Sequence, residues 1–107
     1  MSKFIRVPYV VVQDDGESII KNGSKEGYLI DEVYLNKDHI VNVDIGIHGK
    51  TYQMREYEGN CSFKTIYGFF ITDVNNRKYF VLEKYSKNIT SQIFEDTEEV
   101  VNKTYIE

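Results

Sequence analysis

Ile40-Val41-Asn42-Val43-Asp44-Ile45-Gly46-Ile47-His48 alternates with a period of two. Val41, Val43, Ile45 and Ile47 fall on one side, and Asn42, Asp44, Gly46 and His48 on the other. Such alternation marks a half-buried strand. Residues 50–56 alternate too, with Tyr52 and Met54 against Thr51, Gln53 and Arg55. With Gly49 between them, the two runs predict a hairpin. A turn at His48-Gly49 pairs Ile45 with Tyr52 and Val43 with Met54. A turn at Gly49-Lys50 pairs Ile45 with Met54 and Asp44 with Arg55. Both keep the apolar set on one face, so the hairpin is predicted and its register stays open.

Moving outward, residues 62–73 and 77–84 flank Val74-Asn75-Asn76. Asn tolerates positive φ, which predicts a two-residue turn at Asn75-Asn76. That turn sets Asp73 opposite Lys78, Ile71 opposite Phe80 and Phe69 opposite Leu82. The other face then pairs Thr72 with Tyr79 and Phe70 with Val81. Both faces are apolar, so this hairpin belongs at the centre of the sheet or against a second surface. Upstream, residues 3–13 read as a strand that Pro8 confines to an edge or a bulge. Asp14-Asp15-Gly16 closes it, and residues 17–21 suit a short return strand. Residues 22–27 read as a loop, and 28–35 as a less regular apolar run.

The last segment follows helical spacing through Ile89, Ile93, Phe94, Thr97, Val100 and Val101. Ser86, Asn88 or Thr90 can cap it. Acids in its early turns suit the positive end of the helix dipole. Strands first and one helix last give an α+β expectation. It is an antiparallel β-sheet built from hairpins, about five to six strands over about residues 3–85. One C-terminal amphipathic helix, about 87–103, packs on one face. A chain of 107 residues suits a single domain over 1–107.

The net charge of −4 is unevenly placed. Residues 92–107 hold Glu95, Asp96, Glu98, Glu99 and Glu107 against Lys103, which accounts for all of it. The first 91 residues are neutral. An acidic balance argues against direct nucleic-acid binding. No apolar run approaches the ~20 residues of a membrane helix. The N-terminal run is short, β-branched and lacks a small-residue cleavage site, so the expectation is a cytoplasmic protein without membrane association. The lone Cys61 cannot form an internal disulfide.

No constellation for catalysis, metal or cofactor emerges. On a straight strand Asp44 and His48 stand ~13 Å apart, too far to share one ion, and His39 has the opposite parity. Cys61 lacks a recognisable catalytic context. The pairs Asp14-Asp15, Asp31-Glu32 and Glu98-Glu99 suit turns and surfaces, and no glycine-rich phosphate loop is present. The N-x-S/T triplets at Asn60, Asn88 and Asn102 mean little without a secretory signal. The expectation is therefore a non-enzyme with no cofactor.

Nine Tyr and six Phe exceed what one small core hides. Tyr has an apolar body and a polar tip, which suits contact surfaces. The sequence thus points to a small protein-interaction or regulatory domain of prokaryotic or phage type. An inhibitor or adaptor would bind another protein through a Tyr-rich sheet and an acidic helix. Candidate contact residues are Tyr67, Tyr79, Glu95, Asp96, Glu98 and Glu99. The alternatives are a small-molecule-binding domain with a pocket between sheet and helix, and a self-associating subunit of a phage or other assembly. In element order, 34–43 and 71–81 followed by a helix resemble small bacterial proteins of the flagellar FlbD type and the LytTR DNA-binding domain. The basic residues of a LytTR domain are missing, and no functional residue carries across.

Overall fold

Runs rich in Val, Ile, Phe and Tyr form the strands, as their fit to a pleated, half-buried surface dictates. The computed structural model describes residues 3–55 and 61–94. Its strands are β1 (Phe4–Val10), β2 (Ser18–Ile20), β3 (Ile30–Asn36), β4 (Ile40–Arg55), β5 (Cys61–Asp73) and β6 (Lys78–Leu82). One helix, α1 (Ser86–Ile93), follows. The chain is therefore mostly sheet with one short C-terminal helix, in keeping with α+β.

The expectation of one antiparallel sheet needs correcting. β1 and β3 form a two-stranded antiparallel sheet, and β2-β4-β5-β6 form a second. Within it β2 runs parallel to β4, with Ile19 opposite Met54. The intervening hairpin-like turn never forms a return strand on β1 alone. Instead Asp15 accepts hydrogen bonds from Glu17 N and Ser18 N, both at 2.9 Å, and from Ser18 Oγ at 2.6 Å. This cap steers β2 onto β4, where Gln53 N donates to Glu17 O at 2.8 Å. A single bridge between Val12 and Ile19 is what remains of the return pairing.

The hairpin expected around Gly49 is also absent. β4 runs unbroken through that position and pairs with β5 from Ile40↔Asp73 to Arg55↔Cys61. Gly49 has no positive φ, unlike Gly16 and Gly27. It serves a close approach instead: a Cβ there would lie 2.8 Å from Cε1 of Tyr67. Two alternating runs joined by a glycine can be one long strand as well as two short ones. Alternation alone does not separate the cases.

The β5–β6 hairpin exists, but its register is shifted by one residue from the expected one. Ile71 faces Tyr79, Phe70 faces Phe80 and Phe69 faces Val81. The loop has three residues rather than two, with Asn76 at φ 62°. Three-residue hairpins place their last loop residue in the left-handed region, which Asn accepts. Asp73 fixes this choice. Its Oδ1 accepts from Asn75 N at 2.9 Å and Arg77 N at 3.0 Å. Its backbone N donates to Arg77 O at 3.0 Å.

The two faces of this hairpin carry two separate hydrophobic clusters. Phe69, Ile71, Tyr79 and Val81 pack with Ile5, Val7, Leu35 and Ile89. Ile66, Phe80 and Leu82 pack with Val10, Ile19, Tyr28, Tyr52 and Met54. Of the two expected placements, the hairpin takes the one against a second surface: β6 is the edge of its sheet, not its centre. Gly68 is what lets β6 come so close, since a Cβ there would lie 2.1 Å from Val81 O.

α1 begins at Ser86, next to the expected start at about 87. A 3-10 turn at Glu83–Tyr85 leads into it, and Ser86 N donates to Glu83 O. The capping position is Tyr85, which makes no side-chain cap bond, so none of Ser86, Asn88 and Thr90 acts as the cap. Thr90 Oγ1 bonds Ser86 O instead, at 2.7 Å. The first turn of α1 holds no acid, so the expected dipole pairing is absent there. Burial of Ile89 against β1 and β5, worth ~1.5–3 kcal/mol, sets the helix rotation. Residues 95–103 of the expected helix lie outside the described residues. Among the described residues no helix is long and apolar enough to cross a membrane.

Candidate functional site

Odd-numbered residues of β5 share one face, because successive side chains of a strand point to opposite faces. On that face Phe69 and Ile71 lie under β1, β3 and α1. The same row continues through Tyr67, Thr65 and Phe63, where the cover stops. Tyr67 is 57% exposed and Phe63 74%. Gly49, Thr51 and Gln53 of β4 stand opposite them. Thr51 Oγ1 and Thr65 Oγ1 are 2.8 Å apart, a cross-strand bond that stiffens the ribbon. β4 has 16 residues, long enough to outreach its cover. The molecule measures 59 × 26 × 21 Å, and its radius of gyration of 16.0 Å exceeds the ~13 Å of a compact chain this size.

Nearer the centre of β4 the ladder breaks. Between Asp44↔Phe70 and His48↔Gly68, three residues of β4 oppose one of β5. Asp44 Oδ1 accepts from Gly46 N at 3.1 Å, and His48 Nε2 lies 2.8 Å from Asp44 Oδ2. The expected ~13 Å separation is thus overturned: the bulge folds the strand back and brings the two side chains into contact. Two groups still make no ion cage. Among the described residues no three His, Cys, Asp or Glu side chains converge for a metal. The bulge also leaves Ile45 73% and Ile47 43% exposed. Bulges of this kind interrupt an edge that another strand could otherwise extend.

The opposite, even-numbered face builds a cleft of about 690 Å³. Tyr52, Phe70 and Phe80 supply aromatic walls, and the loop after β1, from Val12 to Gly16, closes one side. That loop is held by Gln13 N donating to Ser18 O at 2.8 Å and Gly16 N donating to Gln13 O at 2.9 Å. The Phe70 and Phe80 rings meet at 4.9 Å, and Tyr52 meets Phe80 edge-on at 5.9 Å. Burial pushes the Tyr52 hydroxyl up to about 12. Lys50 Nζ stands 5.6 Å from the Tyr52 ring centre and 5.8 Å from that of Phe70.

The sequence-derived contact residues fall in different places. Tyr67 is on the uncovered face. Tyr79 is buried in the first cluster, with its ring edge-on to Tyr9 at 5.2 Å, so it presents no surface beside Tyr67. Glu95, Asp96, Glu98 and Glu99 lie outside the described residues. Phe63, Ile45 and Ile47 were not singled out, although Phe63-Thr65-Tyr67 has a legible period of two. The cleft was not legible, because its walls come from four separate stretches of chain. It lies between sheet and loop, not between sheet and helix.

No known protein family matches this sequence, no curated protein is significantly similar to it, and no solved structure significantly matches it.

Proposed function

We propose that this chain is a small non-catalytic interaction domain that binds another protein through the uncovered face of β4 and β5. The supporting observation is the row Phe69, Tyr67, Thr65, Phe63, which is aromatic at three of its four positions and covered only at one end. A single exposed hydrophobe needs no explanation. A sheet face that continues past its own cover, with aromatic residues at most of its alternate positions, has the composition of an interface core. Thr65, bonded to Thr51, interrupts it with one polar contact, and Gln53 and Arg55 lie on the neighbouring strand. The occupant is a protein surface with an apolar centre. Acids at Glu95, Asp96, Glu98 and Glu99 would add attraction for a partner that also carries basic groups. An inhibitor or adaptor is the form of regulation that this surface suits.

The test starts with a protein captured by the wild-type chain, then identified, purified and titrated. Replacing Phe63 and Tyr67 together by Ser should weaken binding at least about tenfold, the scale of losing aromatic anchors. Replacing the four acids by Gln should lower affinity less and flatten its salt dependence. A partner bound equally well by the Phe63/Tyr67 double variant would overturn the assignment of this face.

A further inference from the structure

We infer that the cleft on the even-numbered face is a binding site for a small aromatic anion: a flat ring carrying a phosphate or carboxylate. The protein-binding reading rests on the other face of the same sheet, so the two stand independently. Three observations carry the inference. The first is charge. Lys50, Arg77 and Lys78 line the cleft against one carboxylate, Asp14, in a protein whose net charge is −4. Among the described residues none of these three cations forms an ion pair, whereas Lys3, Arg6 and Lys84 do. Unpaired cations gathered at one concavity raise the local concentration of anions.

The second is the wall chemistry. Phe70, half-buried, is the ring this cleft leaves within reach beside those charges, and Tyr52 and Phe80 back it from the core. Lys50 stands within cation–π range of two of the rings, so positive charge and aromatic wall meet at one point. A ligand with only a ring, or only an anion, would use half of this arrangement. The third is size and order. About 690 Å³ is ample for a single-ring or fused-ring ligand. The loop wall is tied by backbone hydrogen bonds, so the site is formed before a ligand arrives.

The test is an NMR titration of the full chain with adenosine monophosphate, indole-3-acetate, adenosine and inorganic phosphate. The first two probes separate a nucleotide from an aryl carboxylate as the source of the anion. At least one should shift the amides of Lys50, Phe70 and Phe80 saturably, with Kd of about 1 mM or tighter. Adenosine and inorganic phosphate should each bind at least about tenfold more weakly. Lys50→Gln and Lys78→Gln should each weaken the aromatic anion by about three- to tenfold, while Phe63→Ser leaves it unchanged. The inference is overturned if neither aromatic anion binds at about 10 mM, or if adenosine binds as well as its monophosphate. It is equally overturned if both lysine variants bind like wild type.

Discussion

Phe63 and Phe69 are the same residue on the same face of the same strand, ~20 Å apart along it. One is 74% exposed and the other 1%. Nothing about the side chain or the alternation distinguishes them. What differs is the layer above: β1, β3 and α1 reach Phe69 and stop before Phe63. The pair separates two roles that a strand pattern merges, holding the fold together and remaining available to something else.

The sharpest way to break this comparison is to truncate each ring. Phe69→Ala should cost ~3–5 kcal/mol of stability in urea unfolding, through lost burial and a cavity between two layers. Phe63→Ala should stay within ~0.5 kcal/mol. Similar losses at both sites would mean that Phe63 has internal cover.

The glycines extend the contrast. Gly68→Ala drives a methyl into the Val81 carbonyl, which is backbone and cannot step aside. A loss of ~2–3 kcal/mol is expected, with disturbed β5–β6 amide signals. Gly49→Ala meets only the exposed Tyr67 ring, which can rotate away, so a loss below ~1 kcal/mol is expected.

The turn between β5 and β6 should give a smaller effect. Asn76→Ala keeps a Cβ in the left-handed region but loses the short polar side chain that offsets it, and should cost ~1 kcal/mol, while Asn76→Gly should be neutral or better. Equal effects of Ala and Gly would count against the three-residue loop and its register.

The pH dependence is the finest probe of burial. The Tyr52 hydroxyl is held near 12 by burial, above its ordinary 10.0. Its neutral form is therefore favoured by folding. Stability from this source is complete below pH ~10 and declines as pH rises toward 12, as the unfolded chain ionises first. Alkaline unfolding of Tyr52→Phe should show a shallower decline than wild type over that interval. An unchanged slope would place the Tyr52 hydroxyl in contact with solvent.

Much of the element order was legible in the sequence, and most of the long-range pairing was not. The β5–β6 hairpin could be read from its two apolar runs, yet its register slipped because Asp73 acts as a cap on Asn75 and Arg77, a local bond that residue spacing does not reveal. The hairpin at Gly49 failed because glycine there admits a ring from the neighbouring strand. The parallel pairing of β2 with β4 joins residues far apart in sequence and has no local signal. Contact between Asp44 and His48 depends on a bulge that strict alternation conceals. Tyr67 could be picked out as a surface residue by its amphipathic chemistry. Tyr79 could not be told from it, because burial is decided by β1 and not by neighbours in sequence.

The central claim is that the uncovered row is kept for a partner and not for the fold. The most direct measurement compares stability and partner affinity for the Phe63→Ser, Tyr67→Ser double variant on one preparation. The account predicts unfolding within ~1 kcal/mol of wild type together with at least about tenfold weaker binding. Unchanged binding, or a stability loss like that of Phe69→Ala, would contradict it.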